Sequence, residues 1–147
     1  MRAERASKEA SKPETVAVVV VTYNRAALLT RMLAGLAALD TKPDAVIVVD
    51  NASTDHTPTV LAGVTDLALQ VIRPEANLGG AGGFHAGMEA AYDQGYDRIW
   101  LMDDDVVPAP DCLDVLLAVD DEHADCLMAV REDTKGRLVE KLSLIHI

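Results

Sequence analysis

The chain has 147 residues, half of them hydrophobic, which suits one domain with a real core and leaves little room for extensive disorder. Thirteen basic against 24 acidic side chains give a formal charge of −11 and a pI near 4.6, so the surface repels phosphate backbones and argues against nucleic acid as a partner. An acidic chain that still binds a nucleotide diphosphate needs a metal or local backbone donors to offset that repulsion.

Residues 1–15 are charged and polar and lack the apolar stretch of a signal peptide, so they are expected to form a flexible leader. Val16 to Val21 is a β-branched run without alternation, the pattern of a strand buried on both faces of a parallel sheet. It ends at Thr22-Tyr23-Asn24-Arg25. Leu28, Leu29, Met32, Leu33 and Leu36 then recur at helical spacing, which predicts a helix to about Leu39 with Asn24 as its N-cap. A second strand is expected over Ala45–Asp50 and a weaker helix over Thr57–Ala62. The third strand is expected over Leu67–Ile72, ended by Arg73-Pro74.

Glu75 to Gly83 reads as a glycine-rich loop, and Phe84 to Gln94 as a helix with Phe84, Met88 and Ala91 on one face. Arg98 to Met102 is the fourth strand, running into Asp103-Asp104-Asp105. A short helix is expected over Asp111–Val119. Paired strands at 125–130 and 137–140 would turn about Thr134-Lys135-Gly136. Strands alternating with helices imply an α/β, mostly parallel sheet with flanking helices.

The two cysteines, Cys112 and Cys126, form no CxxC and have no histidine cluster, so neither a disulfide framework nor zinc is indicated and reduced, cytosolic thiols are expected. The longest apolar run falls far short of the ~20 residues of a membrane helix. Residues 142–147 read Leu-Ser-Leu-Ile-His-Ile, the in-frame translation of a transposase mosaic end from sequencing libraries. They are expected to be foreign, with the natural frame cut near Lys141 and a downstream half missing; a native stop codon directly after Ile147 at the genomic locus would refute this.

In an open α/β sheet ligands sit outside the carboxyl ends of the strands. Three of those ends carry polar clusters: Thr22 to Arg25, Asp50 to Ser53, and Asp103 to Asp105. Taken singly, these would be a helix cap, a turn and a solvated loop. Their coincidence at the ends of three strands points to a site. Three adjacent carboxylates repel one another unless a cation or donors compensate, and hard oxygen ligands without histidine or cysteine favour Mg²⁺ or Mn²⁺. Asn77-Leu78-Gly79-Gly80-Ala81-Gly82-Gly83 allows close backbone approach ahead of a helix, but it fits neither GxGxxG nor GxxxxGK[ST]. His85 alone is a surface residue sooner than a base.

Val20-Val21-Thr22-Tyr23-Asn24-Arg25, Val48-Val49-Asp50-Asn51-Ala52-Ser53-Thr54-Asp55, Asn77-Leu78-Gly79-Gly80 and Asp103-Asp104-Asp105, in that order and spacing, resemble the donor half of family 2 glycosyltransferases with the Rossmann-like GT-A fold, over about Val16 to Val130. The resemblance implies a partial nucleotide-sugar-binding domain over residues 16–141. It implies that Thr22, Tyr23 and Arg25 line a base pocket, that Asp50 holds uracil or ribose with Asn51 and Ser53 supporting it, and that Asn77, Gly79, Gly80 and Asp104 complete the nucleotide-sugar site. Asp103 would contact the ribose or the metal-bound donor, and Asp105 would be the principal ligand of Mn²⁺ or Mg²⁺, with Asp103 as its companion.

The run Asn77 to Met88 together with Trp100 to Asp105 looks most like galactofuranosyltransferases and related rhamnosyltransferases of bacterial cell-wall synthesis. That implies UDP-galactofuranose as donor, with dTDP-rhamnose as runner-up. It also implies a glycan or lipid-linked glycan acceptor, inversion at the anomeric centre, and a cytoplasmic enzyme whose full-length parent works at the inner face of the plasma membrane. In the family the catalytic base lies downstream of the metal-binding aspartates, and Asp120, Asp121, Glu122 and Asp125 come too early for it. Two rivals are weaker. A sugar-nucleotide pyrophosphorylase would want a basic, glycine-rich loop after the first strand, and a receiver-like Mg²⁺-binding module would leave the Gly79 to Gly83 run without a purpose.

Overall fold

The computed structural model describes residues 13–119, 126, 127, 129 and 131–137. Four strands, β1 (Val16–Thr22), β2 (Ala45–Asp50), β3 (Leu69–Ile72) and β4 (Arg98–Asp103), form one all-parallel sheet in the order β3-β2-β1-β4. Helices α1 (Ala26–Ala37), α2 (Thr57–Ala62), α3 (Gly79–Asp93) and α4 (Cys112–Ala118) alternate with them. This is the expected α/β architecture. After β3 the chain crosses back past β1 to lay down β4, so the strand order reverses between β1 and β4.

The two faces of β1 explain its unbroken apolar run. Val16, Val18 and Val20 pack with Leu29, Met32, Leu33 and Leu36 of α1, Leu61 of α2 and Leu113 of α4. Ala17 and Val19 join Ala45, Ile47 and Ala91 on the opposite face, under α3. That second face is built from small residues. A Cβ on Gly87 would stand 2.4 Å from Val19 Cγ1, and one on Gly83 would stand 2.6 Å from Val21 Cγ1, so α3 lies on the sheet more closely than any side chain there would permit.

Several boundaries differ from expectation. The run Gly79 to Gly83 is the first turn of α3, not a loop preceding a helix that starts at Phe84. Glycine is a poor helix former in isolation, but here tertiary packing of the glycine face against β1 overrides propensity. The buried stripe is Gly83, Gly87 and Ala91, with Phe84 half-buried and Met88 exposed.

Asn24 is not the cap of α1. Arg25 holds that position without a side-chain bond, and Asp55 Oδ2 accepts from the Ala26 N–H at 3.2 Å instead. β3 begins at Leu69, two residues late. At 134–136 the expected turn is present, with Asp133 N–H donating to the Arg137 carbonyl at 2.8 Å and Gly136 at φ +72°. Residues 126, 127 and 129 are not strand, and most of the paired strands expected around that turn lie outside the described residues, as do residues 1–12 of the leader and 142–147. Thr15, at the leader's end, is tied to β4's approach by two bonds to Asp97 Oδ2 at 2.8 Å each.

Candidate functional site

Register brings the polar strand ends together: Thr22 pairs with Asp50 across β1 and β2, and Val21 with Asp103 across β1 and β4. The loops that follow are laced to each other. Asn24 N–H donates to Ser53 Oγ at 2.9 Å, and Asn24 Oδ1 accepts from the N–H groups of Thr54 at 2.7 Å and Asp55 at 3.3 Å. Both loops contain a left-handed residue, Asn24 at φ +52° and Ala52 at φ +60°. Asparagine tolerates that region, whereas alanine at such a φ carries roughly 1–2 kcal/mol of strain. Thr57, whose backbone N–H donates to Asp55 Oδ1 at 2.9 Å, holds that carboxyl below the usual carboxylate range.

Asp50 is wholly buried, and both its oxygens are engaged: Oδ1 accepts from Ser53 N–H at 3.0 Å, Oδ2 from Arg73 Nη1 at 2.9 Å. Arg73 Nη2 also donates to the Ser53 carbonyl at 2.6 Å. Arg73 went unnoticed as a site residue in the sequence. Its signal was a cation at the end of the strand adjacent to the one that ends in Asp50. As the side chains stand, Asp50 braces the floor of the site, and Arg73 is the half-exposed group presented there.

Asn51 ties this floor to α3. Its Nδ2 donates to the Gly79 carbonyl at 3.0 Å and its Oδ1 accepts from Leu78 N–H at 3.4 Å. Asn77 Oδ1 accepts from Gly79 N–H at 2.7 Å, while Gly79 sits at φ +71° and Gly80 has open space where a Cβ would be. The α3 N-terminus thus stands beside the β2 loop, the Gly79 N–H held by Asn77 and the exposed Gly80 next to it.

The three aspartates are not equivalent. Asp104 is turned inward, its side chain 7% exposed; it accepts from Thr22 Oγ1 at 2.8 Å and Arg25 Nη1 at 3.1 Å. Asp103 and Asp105 are open, 58% and 47% exposed, and pair with Arg131 at 3.4 Å and Arg25 at 3.5 Å respectively. Arg25 therefore lies on the aspartate run, not on Asp50. Tyr23 is exposed beside it, and His85 is exposed on α3.

Among the described residues no group of three or more His, Cys, Asp or Glu side chains is placed to hold a metal ion. Two open carboxylates on one loop still fit a hard cation that keeps most of its ligands as water or substrate phosphate. Of the described helices none is long and apolar enough to cross a membrane.

The sequence model of glycosyl transferase family 2 matches residues 17–145. The chain belongs to glycosyltransferase family 2. Galactofuranosyltransferase GlfT1 of Mycolicibacterium smegmatis is 46% identical over 98 residues, covering 65% of this chain and 32% of that protein. Among solved structures, S. aureus TarS superposes with a TM-score of 0.72 at 30% identity, over 86% of this chain and 38% of that one. Its complex with UDP-GlcNAc superposes at 0.61 and 30% identity, over 71% and 30%. Mannosyltransferase PcManGT from Pyrobaculum calidifontis, in complex with GDP-Man and Mn²⁺, gives 0.63 at 31% identity, over 76% and 34%. The GT-A glycosyltransferase fold read from the sequence is thus the fold of the family. The chain spans about a third of the length of the curated relatives it matches.

Proposed function

We propose that this family 2 domain binds the donor of a galactofuranosyl transfer, UDP-galactofuranose, at the carboxyl ends of β1, β2 and β4. The observation that carries the reading is the register that gathers Thr22, Asp50 and the aspartate run at one sheet edge, beside the glycine-rich start of α3. Likeness to GlfT1 supports the sugar, and the UDP-GlcNAc complex of TarS supports a nucleotide sugar in general.

In this reading Asp103 and Asp105 hold Mn²⁺ or Mg²⁺, which when bound supplies Lewis-acid stabilisation of the departing diphosphate. Thr22, Tyr23, Asn51 and Ser53 shape the nucleoside end, with Asp50 and Arg73 as its floor. Asn77 and Gly79 form the turn that brings the Gly80 backbone toward the anion. Inversion requires an acceptor hydroxyl of a cell-wall or polysaccharide glycan to attack opposite the leaving UDP, deprotonated by a carboxylate. Among the described residues none is assigned that role.

Calorimetric titration of UDP, dTDP and GDP with and without Mn²⁺ tests the reading. UDP binding that needs Mn²⁺ and is lost in Asp105→Ala is the expected result. Preference for dTDP would move the donor to dTDP-rhamnose, and no binding by a folded sample would overturn the proposal.

A further inference from the structure

One guanidinium nitrogen, Arg25 Nη1, serves two carboxylates of unequal accessibility. Its bond to Asp104 is short, 3.1 Å, and Asp104 is buried and held from the other side by Thr22 Oγ1. A buried carboxylate left without its cation is costly, so this contact is the anchor. The contact to Asp105 is longer, 3.5 Å, between two half-exposed groups, and a pair of that kind is weak in water. Among the described residues only Nη1 of Arg25 is engaged, and a guanidinium has further donors to offer.

We infer that Arg25 is a cationic stand-in at Asp105: in the metal-free chain it screens the repulsion between Asp104 and Asp105, and it yields Asp105 to the divalent ion while keeping its anchor on Asp104. Held there, its remaining N–H groups serve the donor's diphosphate. The inference rests on the donor-site reading proposed above, and it moves Arg25 from the nucleobase end to the phosphate end.

Charge supports it. Asp104 and Asp105 with Arg25 leave one net negative charge, which draws a divalent cation. With the cation present the cluster carries one net positive charge, the sign a diphosphate requires. Removing Arg25 should therefore act in opposite directions on the two ligands, whereas a merely structural lesion would weaken both.

The test uses the whole chain. Binding of Mn²⁺ alone is followed by the electron paramagnetic resonance of the free ion, and binding of UDP by calorimetry at saturating Mn²⁺. Arg25→Gln is expected to bind Mn²⁺ roughly three- to tenfold more tightly, and UDP weaker by a similar factor, the modest size reflecting a partly exposed pair. Arg25→Lys, which keeps the charge, is expected to stay within about twofold of the parent for Mn²⁺. Equal or weaker Mn²⁺ binding by a folded Arg25→Gln overturns the inference; Arg25→Met, which keeps the apolar stem, is the second neutral variant should Gln not be tolerated. Mn²⁺ binding that is unchanged in Asp105→Ala would overturn the donor-site reading itself, and the inference with it.

Discussion

Gly87→Ala tests whether the glycines of α3 exist for packing. In an exposed helix interior this change stabilises by about 1 kcal/mol, because alanine is the better helix former. Here the new Cβ would stand 2.4 Å from Val19 Cγ1 and 3.2 Å from Val49 Cγ2, against ~3.5–4.0 Å for carbon atoms in comfortable contact. Val19 and Val49 are fully buried and β-branched, so neither side chain can readily turn aside. Overpacking of this kind costs about 1–3 kcal/mol, and the clash lies at the severe end.

The net expectation is a loss of about 1–2 kcal/mol, the packing cost outweighing the propensity gain. With a urea m-value of about 1–3 kcal/mol/M, the unfolding midpoint falls by roughly 0.3–2 M. Chemical denaturation followed by far-UV circular dichroism measures it. Val19→Ala removes the clashing methyl, so the double variant should be more stable than the sum of the single effects predicts. A midpoint at or above the parent's would refute the packing account and return the glycines to a loop-like role.

Gly80→Ala, with open space at its Cβ, should be neutral or stabilising by up to about 1 kcal/mol in the same assay, the opposite sign to Gly87→Ala. Ala52→Gly relieves a left-handed alanine at φ +60° and should raise stability by about 0.5–1 kcal/mol, the relief being partly offset by unfolded-state entropy; a loss would show that the Ala52 methyl is needed. Arg73→Ala leaves Asp50 buried without its cation and should cost about 3 kcal/mol, while adding Asp50→Asn recovers part of that loss. Asp55, depressed in the folded state, contributes stability above its unfolded pKa and loses it as pH falls through the lowered folded value. The stability gap between the parent and Asp55→Asn should therefore be wider at about pH 6 than at about pH 3, on either side of an ordinary aspartate pKa. An equal gap at both would refute it.

The strands were the most legible part of the sequence because their signal is local. Val16 to Thr22 and Ala45 to Asp50 are buried on both faces, and an unbroken β-branched run is what that environment demands. The start of α3 was not legible, because propensity disfavours five glycines in the nine residues from Gly79 to Gly87 as helix; only the separation of Gly83 and Gly87 from Val21 and Val19, a long-range fact, reveals why they are tolerated. Asn24 misled for a related reason. An asparagine before an apolar helix is a cap in local terms, yet its carbonyl oxygen is taken by Thr54 and Asp55 of the neighbouring loop, and Asp55 caps the helix in its place. Arg73 was invisible until the sheet order set β3 beside β2.

The placement of cations explains how so acidic a chain could host a diphosphate. Arg25, Arg73 and Arg131 each pair with a carboxylate at a strand's carboxyl end or just beyond it, Asp104 and Asp105, Asp50, and Asp103 respectively. Pairing of this kind offsets most of the carboxylate charge at one edge of the sheet, so that in the proposed reading a single divalent cation suffices to give the sign a diphosphate requires. The two open aspartates carry the weaker pairs, at 3.4 and 3.5 Å, and the two buried ones carry the shorter, at 2.9 and 3.1 Å. Exposure and bond length thus sort the same four carboxylates into two that brace the site and two that remain exchangeable. If that division is functional, Asp103→Asn and Asp105→Asn should leave the unfolding free energy within about 0.5 kcal/mol of the parent, as expected for exposed positions, while abolishing Mn²⁺-dependent UDP binding. Asp104→Asn should lower stability and nucleotide binding together. The reverse pattern, stability lost at Asp105 and binding lost at Asp104 alone, would assign the metal to the buried carboxylate and overturn this division.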